Sequence, residues 1–242
     1  MPPFLVFVVI GLALLVAGVL AVRASGAEPR IAQRLAGARE YRVGDLVGTP
    51  SQHDRPVRVV GRIRCPDPIR TERDERLVAL HRDVQVKPPG SGWRTIERIR
   101  EARGFELWDH DGSLPLDPAL AAEPLIVIPH VWRGTTAELT QEIHQAAVAR
   151  LGGEGAVAWP ARSVTRIVSV VERLLVLASV QRSNGGVVLV PPQGGFVLSA
   201  VALDDAMRLL GGNRRGLLLA GYGMAVAGGL LAVVGAIGSI LG

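Results

Sequence analysis

Two uncharged apolar stretches, Phe4 to Val22 and Gly216 to Gly242, bracket a chain in which every Lys, Arg, Asp and Glu lies between them. At 1.5 Å rise per residue the first stretch makes roughly 28 Å of helix, about the hydrocarbon thickness of a bilayer, and the second can cross with some tilt. The expected fold class is therefore α+β: a β-rich soluble module with peripheral helices, flanked by an N-terminal and a C-terminal transmembrane helix. The expected division is 1–3 as an extracytoplasmic terminus and 4–22 as the first span. A juxtamembrane amphipathic helix and linker follow over 23–55, the β-rich domain over 56–211 and the second span over 216–241. A cleaved secretory signal is the weaker reading of the first stretch. Small residues do stand near Ala21 to Ala27, but nothing basic precedes Phe4 and the apolar run is longer than a usual signal core.

Basic residues close to the spans set the orientation. Arg23, Arg30, Arg34, Arg39 and Arg42 follow the first span, and Arg208, Arg214 and Arg215 precede the second, while the outer flanks carry no basic side chain. Both termini are thus expected outside the cytoplasm, with the central domain inside it at the cell membrane. The formal charge is +5, but acidic residues are interleaved throughout, as with Glu72, Asp74 and Glu75 among Arg70, Arg73 and Arg76. No long basic stripe forms away from the spans, so a nucleic-acid partner is not expected. The juxtamembrane arginines suit anionic lipid headgroups. Cys65 is the only cysteine, which rules out an intrachain disulfide and agrees with a reducing compartment. Its position after an alternating segment makes it a small buried residue at a strand end rather than a nucleophile.

Along the chain, Ile31, Leu35 and Ala38 recur at helical spacing, predicting a short amphipathic helix within Ala27 to Glu40 that lies at the membrane surface. Val57, Val59, Gly61 and Ile63 alternate with arginines, predicting a strand over Pro56 to Arg64, and Leu77 to Val86 predicts another. Trp93 to Arg103 reads as either helix or strand, with a strand favoured for its first half. Phe105 to Asp117 predicts a hairpin, with Asp111-Gly112 supplying positive φ at the turn and Pro115 marking an edge strand. Leu125 to Trp132 reads as a buried strand. Thr135 to Leu151 reads as a helix capped by Thr135 or Thr136 and stopped at Gly152-Gly153. Ser163 to Val180 predicts two strands divided near Glu172-Arg173, Gly186 to Val190 and Gly195 to Ser199 two more, and Leu203 to Leu210 a helix feeding the second span.

These motifs together resemble a known family, the GIDE or BAM ("beside a membrane") domain of membrane E3 ubiquitin ligases of the MULAN type and their prokaryotic relatives. The resemblance is carried by the strand Val57 to Cys65, by Trp93, by Phe105 to Asp109 with the Asp111-Gly112 turn and Asp117, and by the strand pair around Glu172 to Val180. It continues through Val188 to Ser199, with Pro191, Pro192, Phe196 and Ser199. It implies a membrane-adjacent interaction domain. It does not carry the ligase chemistry across, since a RING needs eight Cys and His ligands for two zinc ions and these 242 residues hold one Cys and five His. No catalytic residue, metal site or cofactor is therefore expected.

Other candidates have plainer readings. Asp109-His110-Asp111-Gly112 looks like a cation loop, yet the distal Glu of an EF-hand is missing, so a solvated hairpin turn is favoured. His130 and His144 are read as structural histidines, and Pro191 to Phe196 as a strand connection. In the spans, Ala13, Ala17 and Ala21 and likewise Gly221, Ala225 and Gly229 recur every fourth residue. Small residues let helix backbones approach, so the spans are expected to pack as an antiparallel pair along these faces. The expected function is a membrane-anchored, non-catalytic interaction or scaffold module, with the lipid bilayer and a membrane or cytoplasmic protein as partners and the oligomeric state open. The alternative is a ligase-like protein or a subunit of a membrane enzyme complex whose residues converge only in three dimensions. A pore is disfavoured because neither span carries an ionisable residue.

Overall fold

In the computed structural model the first apolar stretch forms one helix, α1 (Pro3–Ala24). The residues described are 3–24, 28–48, 55–72, 74–151, 158–183, 186–212 and 214–241. Met1 and Pro2, most of the predicted linker at 49–54 and the helix stop at Gly152-Gly153 lie outside them. Helix α2 (Glu28–Gly37) follows, with Ile31, Ala32 and Leu35 buried. Its apolar face is thus packed against protein.

Strand β1 (Glu40–Arg42) leads into the short helix α3 (Val43–Gly48). Then come β2 (Val57–Arg64), in which Val57, Val59, Gly61 and Ile63 point inward, β3 (Ile69–Arg70) and β4 (Arg76–Val86). The segment that reads two ways is a strand throughout, β5 (Arg94–Ala102), because it pairs with β4 from Ala79↔Ala102 to Val86↔Arg94. The hairpin forms from β6 (Phe105–Trp108) and β7 (Ser113–Leu116). Neither Asp111 nor Gly112 takes a positive φ, however. A four-residue loop closed by the Asp109 side chain replaces the tight two-residue turn.

The expected strand Leu125 to Trp132 is displaced. Leu125, Ile126 and Val127 are buried but contribute one bridge, Ile126 to Ser199, while Ile128 is 71% exposed and the ladder starts only at β8 (His130–Thr135). Pro129 has no N–H to donate, so a strand cannot run through it without losing a rung. The helix after it also starts late. Glu138 accepts from the Thr135 backbone N–H and hydroxyl, making a single 3-10 turn at Thr136–Glu138, and α4 spans Gln141–Leu151. Strands β9 (Pro160–Ser169), β10 (Arg173–Ser183), β11 (Gly186–Val190) and β12 (Val197–Ser199) follow, then α5 (Leu203–Gly211) and α6 (Arg214–Leu241).

The described chain divides into two units, Met1–Ala36 with Met207–Gly242, and Gly37–Ala206. In the second unit one sheet has the order β11-β10-β2-β6-β7, with β1 and β12 added to β2 and β10. The other runs β3-β4-β9-β8, with β5 added to β4. All pairings are antiparallel except β1 with β2. The exposed Pro115 sits on β7 at the end of the first sheet, where a missing N–H costs no ladder bond. The core joins both sheets: Val59, Leu107, Leu174, Val176 and Leu198 from the first meet Val78, Ala79 and Val168 from the second, with Val43 and Leu46 of α3. Burying each such aliphatic side chain contributes roughly 1.5–3 kcal/mol. Cys65 is buried at the end of β2 with its Sγ 3.5 Å from the Gly104 carbonyl.

In the first unit α1 and α6 pack side by side. The contact is backbone to backbone: a Cβ built on Gly18 would lie 2.6 Å from Ala225 N and from Gly221 O, and one on Gly11 would lie 2.5 Å from Ala232 N. On α6, Gly228 meets Gly11 O and Leu15 N at 2.6 Å in the same sense. The face is therefore Gly11 and Gly18 against Gly221, Ala225, Gly228 and Ala232, a spacing of seven. Ala13 and Ala17 are exposed, Ala21 is half-buried, and Gly229 stands at the margin, 4.0 Å from Leu15. A seven-residue repeat keeps the same side of each helix facing its partner over two turns, whereas a strict four-residue repeat drifts off it.

Two windows, Val6–Arg23 and Leu219–Gly238, have the length and apolarity to cross a membrane, with mean hydropathy 2.7 and 1.8. Only 11% and 17% of these windows is buried, unlike the core helix of a soluble protein.

Candidate functional site

On the outer face of the first sheet, β1 and β6 meet the same edge of β2 one after the other. β1 pairs with Arg58 to Val60 and β6 with Arg62 to Arg64, so Gly61 sits at the gap between them. There β1 turns away into α3 and β6 turns into its hairpin loop. The gap opens a cleft of about 280 Å³ lined by Arg42, Val60, Gly61, Arg62, Trp108, Asp109, His110, Asp111 and Arg173. Register explains the lining: Trp108, Arg62 and Arg173 lie directly opposite one another across β6, β2 and β10. Arg42 ends β1 opposite Val60.

Asp109 fixes the cleft's shape. Its Oδ2 accepts from Gly44 N at 2.9 Å, and its Oδ1 accepts from Asp111 N and Gly112 N at 3.0 and 3.1 Å. One carboxylate thus ties the start of α3 to the hairpin loop. Burial pushes this carboxyl up, but the three N–H donors, with a lesser effect of His110, outweigh it and hold it below the usual carboxylate range. Asp109 is therefore engaged in holding backbone.

Trp108 forms the side wall, with the Arg64 guanidinium 4.8 Å and that of Arg62 6.0 Å from its ring centroid. Arg64 also reaches Glu106 at 3.8 Å. Among the described residues, the guanidinium groups of Arg42, Arg62 and Arg173 have no carboxylate within 4.0 Å. A half-buried aromatic wall and three arginines lining one cleft without an ion-pair partner suit an anionic group with several oxygens.

The other predicted residues are dispersed. Trp93 is 38% exposed beneath the Arg162 guanidinium, 4.3 Å from its centroid. Phe105 and Phe196 are core residues, and Phe196 N–H bonds the Leu120 carbonyl. Pro191 and Pro192 lead into a turn closed by Gly195 N to Pro192 O, with Gly195 at φ +88°. Asp117 caps the 3-10 turn Pro118–Leu120 through Ala119 N, and the buried Ser199 hydroxyl donates to Val201 O. His144 bonds the Thr136 carbonyl through Nδ1, and His130 is exposed on β8. Among the described residues no three His, Cys, Asp or Glu side chains gather to hold a metal. Of the topology arginines, Arg23 and Arg30 are exposed, while Arg34 is half-buried with its Nη2 lacking a hydrogen-bond partner. Arg208 lies on α5, and Arg214 and Arg215 open α6, their side chains outside the described set.

A second polar cluster lies on the other sheet. Arg100 donates to Asp83 at 2.9 and 3.1 Å and to Glu123 at 2.5 Å, beside the buried His81. Burial, then the Arg100 charge, pulls His81 below its usual range, and the Arg100 hydrogen bond, against a smaller effect of burial, pulls Glu123 down. Every carboxylate here is matched by a guanidinium, which marks the cluster as structural.

Sequence reasoning missed Arg42, Arg62 and Arg173. Arg62 was legible as an outward residue of an alternating strand, but only strand register sets Arg173 against it. A comparison with known protein families, curated proteins and solved structures gives no match, so the functional reading rests on geometry.

Proposed function

We propose that the chain is a membrane-anchored, non-catalytic interaction module of the GIDE/BAM type, with the lipid bilayer and a membrane or cytoplasmic protein as its partners. The observation that carries this reading is the pair of largely exposed apolar helices, one near each end of the sequence, packed backbone to backbone through Gly11, Gly18, Gly221 and Gly228. Exposed apolar helices of this length suit burial in lipid. The α+β unit between them is consequently tethered to the bilayer twice. Two of its charged groups hold structure, Asp109 with backbone amides and Arg100 with Asp83, which favours a binding module over an enzyme. Arginines beside the spans support a central unit on the cytoplasmic side with both termini outside, by the positive-inside rule.

Alkaline carbonate treatment of membranes, followed by protease digestion of intact and inverted vesicles, tests both parts. The full chain is expected in the pellet, with the central unit cleaved only in inverted vesicles. Recovery in the supernatant would remove the anchoring reading. Crosslinking on the accessible side should then give a partner that is lost when residues 56–211 are deleted.

A further inference from the structure

We propose that the cleft between β1, β6 and β10 binds a phosphate-type oxyanion, the phosphate ester being held by Arg42, Arg62 and Arg173 with Trp108 as its wall. This assignment goes beyond membrane anchoring and does not depend on it, since all the lining residues belong to the unit Gly37–Ala206.

Four observations converge. Arg62 and Arg173 stand directly opposite across an antiparallel pair, an arrangement in which like charges repel. Arg42 lines the same cleft, and none of the three guanidiniums has an ion-pair partner among the described residues. The cleft has a floor of Val60 and Gly61 and a wall of Trp108, so an anion within it would be partly shielded from water and its attraction to arginine strengthened. Of the two carboxylates present, Asp109 is saturated by three backbone N–H groups and is unavailable to neutralise the arginines. Asp109 keeps its negative charge while so bonded, so it and Asp111 both oppose a bound anion against the three guanidiniums, and His110 is the remaining titratable group of the cleft.

Clustered arginines alone would mean little in a chain with this many. The pair Arg70 and Arg76 also stands opposite, across β3 and β4, and is exposed as Arg42, Arg62 and Arg173 are, but neither lines this cleft. It is therefore the natural control. Guanidinium groups bind phosphate oxygens in bidentate fashion, which separates a built site from a diffuse positive surface: lysine would keep the charge and lose the fork.

The test is phosphorus NMR titration of the full chain in neutral detergent micelles, with glycerol 3-phosphate and, separately, a short-chain phosphatidate. Specific broadening is expected for at least one of them. Arg62→Ala with Arg173→Ala should weaken binding on the order of tenfold or more, and Arg62→Lys with Arg173→Lys should lie between. Asp111→Asn should tighten binding a few-fold. Arg70→Ala with Arg76→Ala should leave it unchanged. Binding of both ligands assigns a soluble phosphate ester as sufficient, and binding of phosphatidate alone assigns a lipid headgroup. Absence of binding by either ligand, or equal weakening by the Arg70 and Arg76 control, overturns the proposal. Should the double alanine variant fail to fold, Arg173→Gln and Asp111→Asn decide: the first must weaken and the second strengthen binding. The carbonate experiment can fail without touching this result, and the reverse is also true.

Discussion

Asp109 is the residue on which the geometry of the cleft depends most directly. Its carboxylate satisfies three N–H groups that no other side chain reaches, so Asp109→Ala should cost about 1–3 kcal/mol, read from thermal or denaturant melts of the full chain. Its folded pKa lies below the unfolded one, so the stabilisation is complete above the unfolded value of about 3.9 and is lost as pH falls through the folded value. Asp109→Asn should accordingly be less stable near neutrality and show a weaker loss on acidification below about pH 4. An identical acid profile would mean that the carboxylate's charge is not what the amides bind. His81 obeys the other rule. Burial and Arg100 lower its pKa in the fold, with Asp83 and Glu123 opposing and Arg166 adding to the effect. The unfolded chain then takes up the proton first, and stability falls as pH drops below about 6.5. His81→Gln should flatten the difference in melting temperature between pH 7.5 and 5.5, conditions chosen to straddle roughly that value.

Elements in this protein are positioned by close approach as much as by pattern. The α1–α6 contact passes through glycines whose Cβ positions are already occupied by the neighbouring backbone, so Gly18→Leu or Gly228→Leu must force the helices apart. Disulfide trapping between one cysteine placed in each helix should be lost in either variant. The same readout should survive Ala17→Leu, which faces outward, and Gly229→Leu, which has room, while Ala225→Leu should reduce it. Loss of trapping in Ala17→Leu would refute the seven-residue face. The β6–β7 hairpin makes a related point. Its strands were legible from alternation, Phe105 and Leu107 inside with Leu114 and Leu116 opposite. Its loop was not, because the Asp109 carboxylate and the abutting α3 take over the role assigned to positive φ at Asp111-Gly112. Pro129 likewise separates the apolar run Leu125 to Ile128, which makes only one bridge, from the ladder that begins at His130.

For the molecule as a whole, alternating and helical apolar periods determined most of what exists. The two terminal helices, α2, α5 and most strands follow from where water must be excluded, and a local pattern is enough to show that. The amphipathic face of α2 was visible, yet whether protein or lipid covers it was a tertiary matter, and Ile31 and Leu35 are buried in protein. Pairing belongs to the same category. No spacing in the sequence relates Arg62 to Arg173, since residues 111 apart meet only because β10 lies antiparallel against β2. The sequence by itself therefore determined the apolar ends, most of the secondary elements and the absence of a RING ligand set within these residues. The tertiary structure alone decided which glycines carry the helix contact and which arginines share a cleft. The physical reason is that hydrophobic periodicity is written locally, along one face of one element, whereas register and close approach are settled between elements distant in the chain.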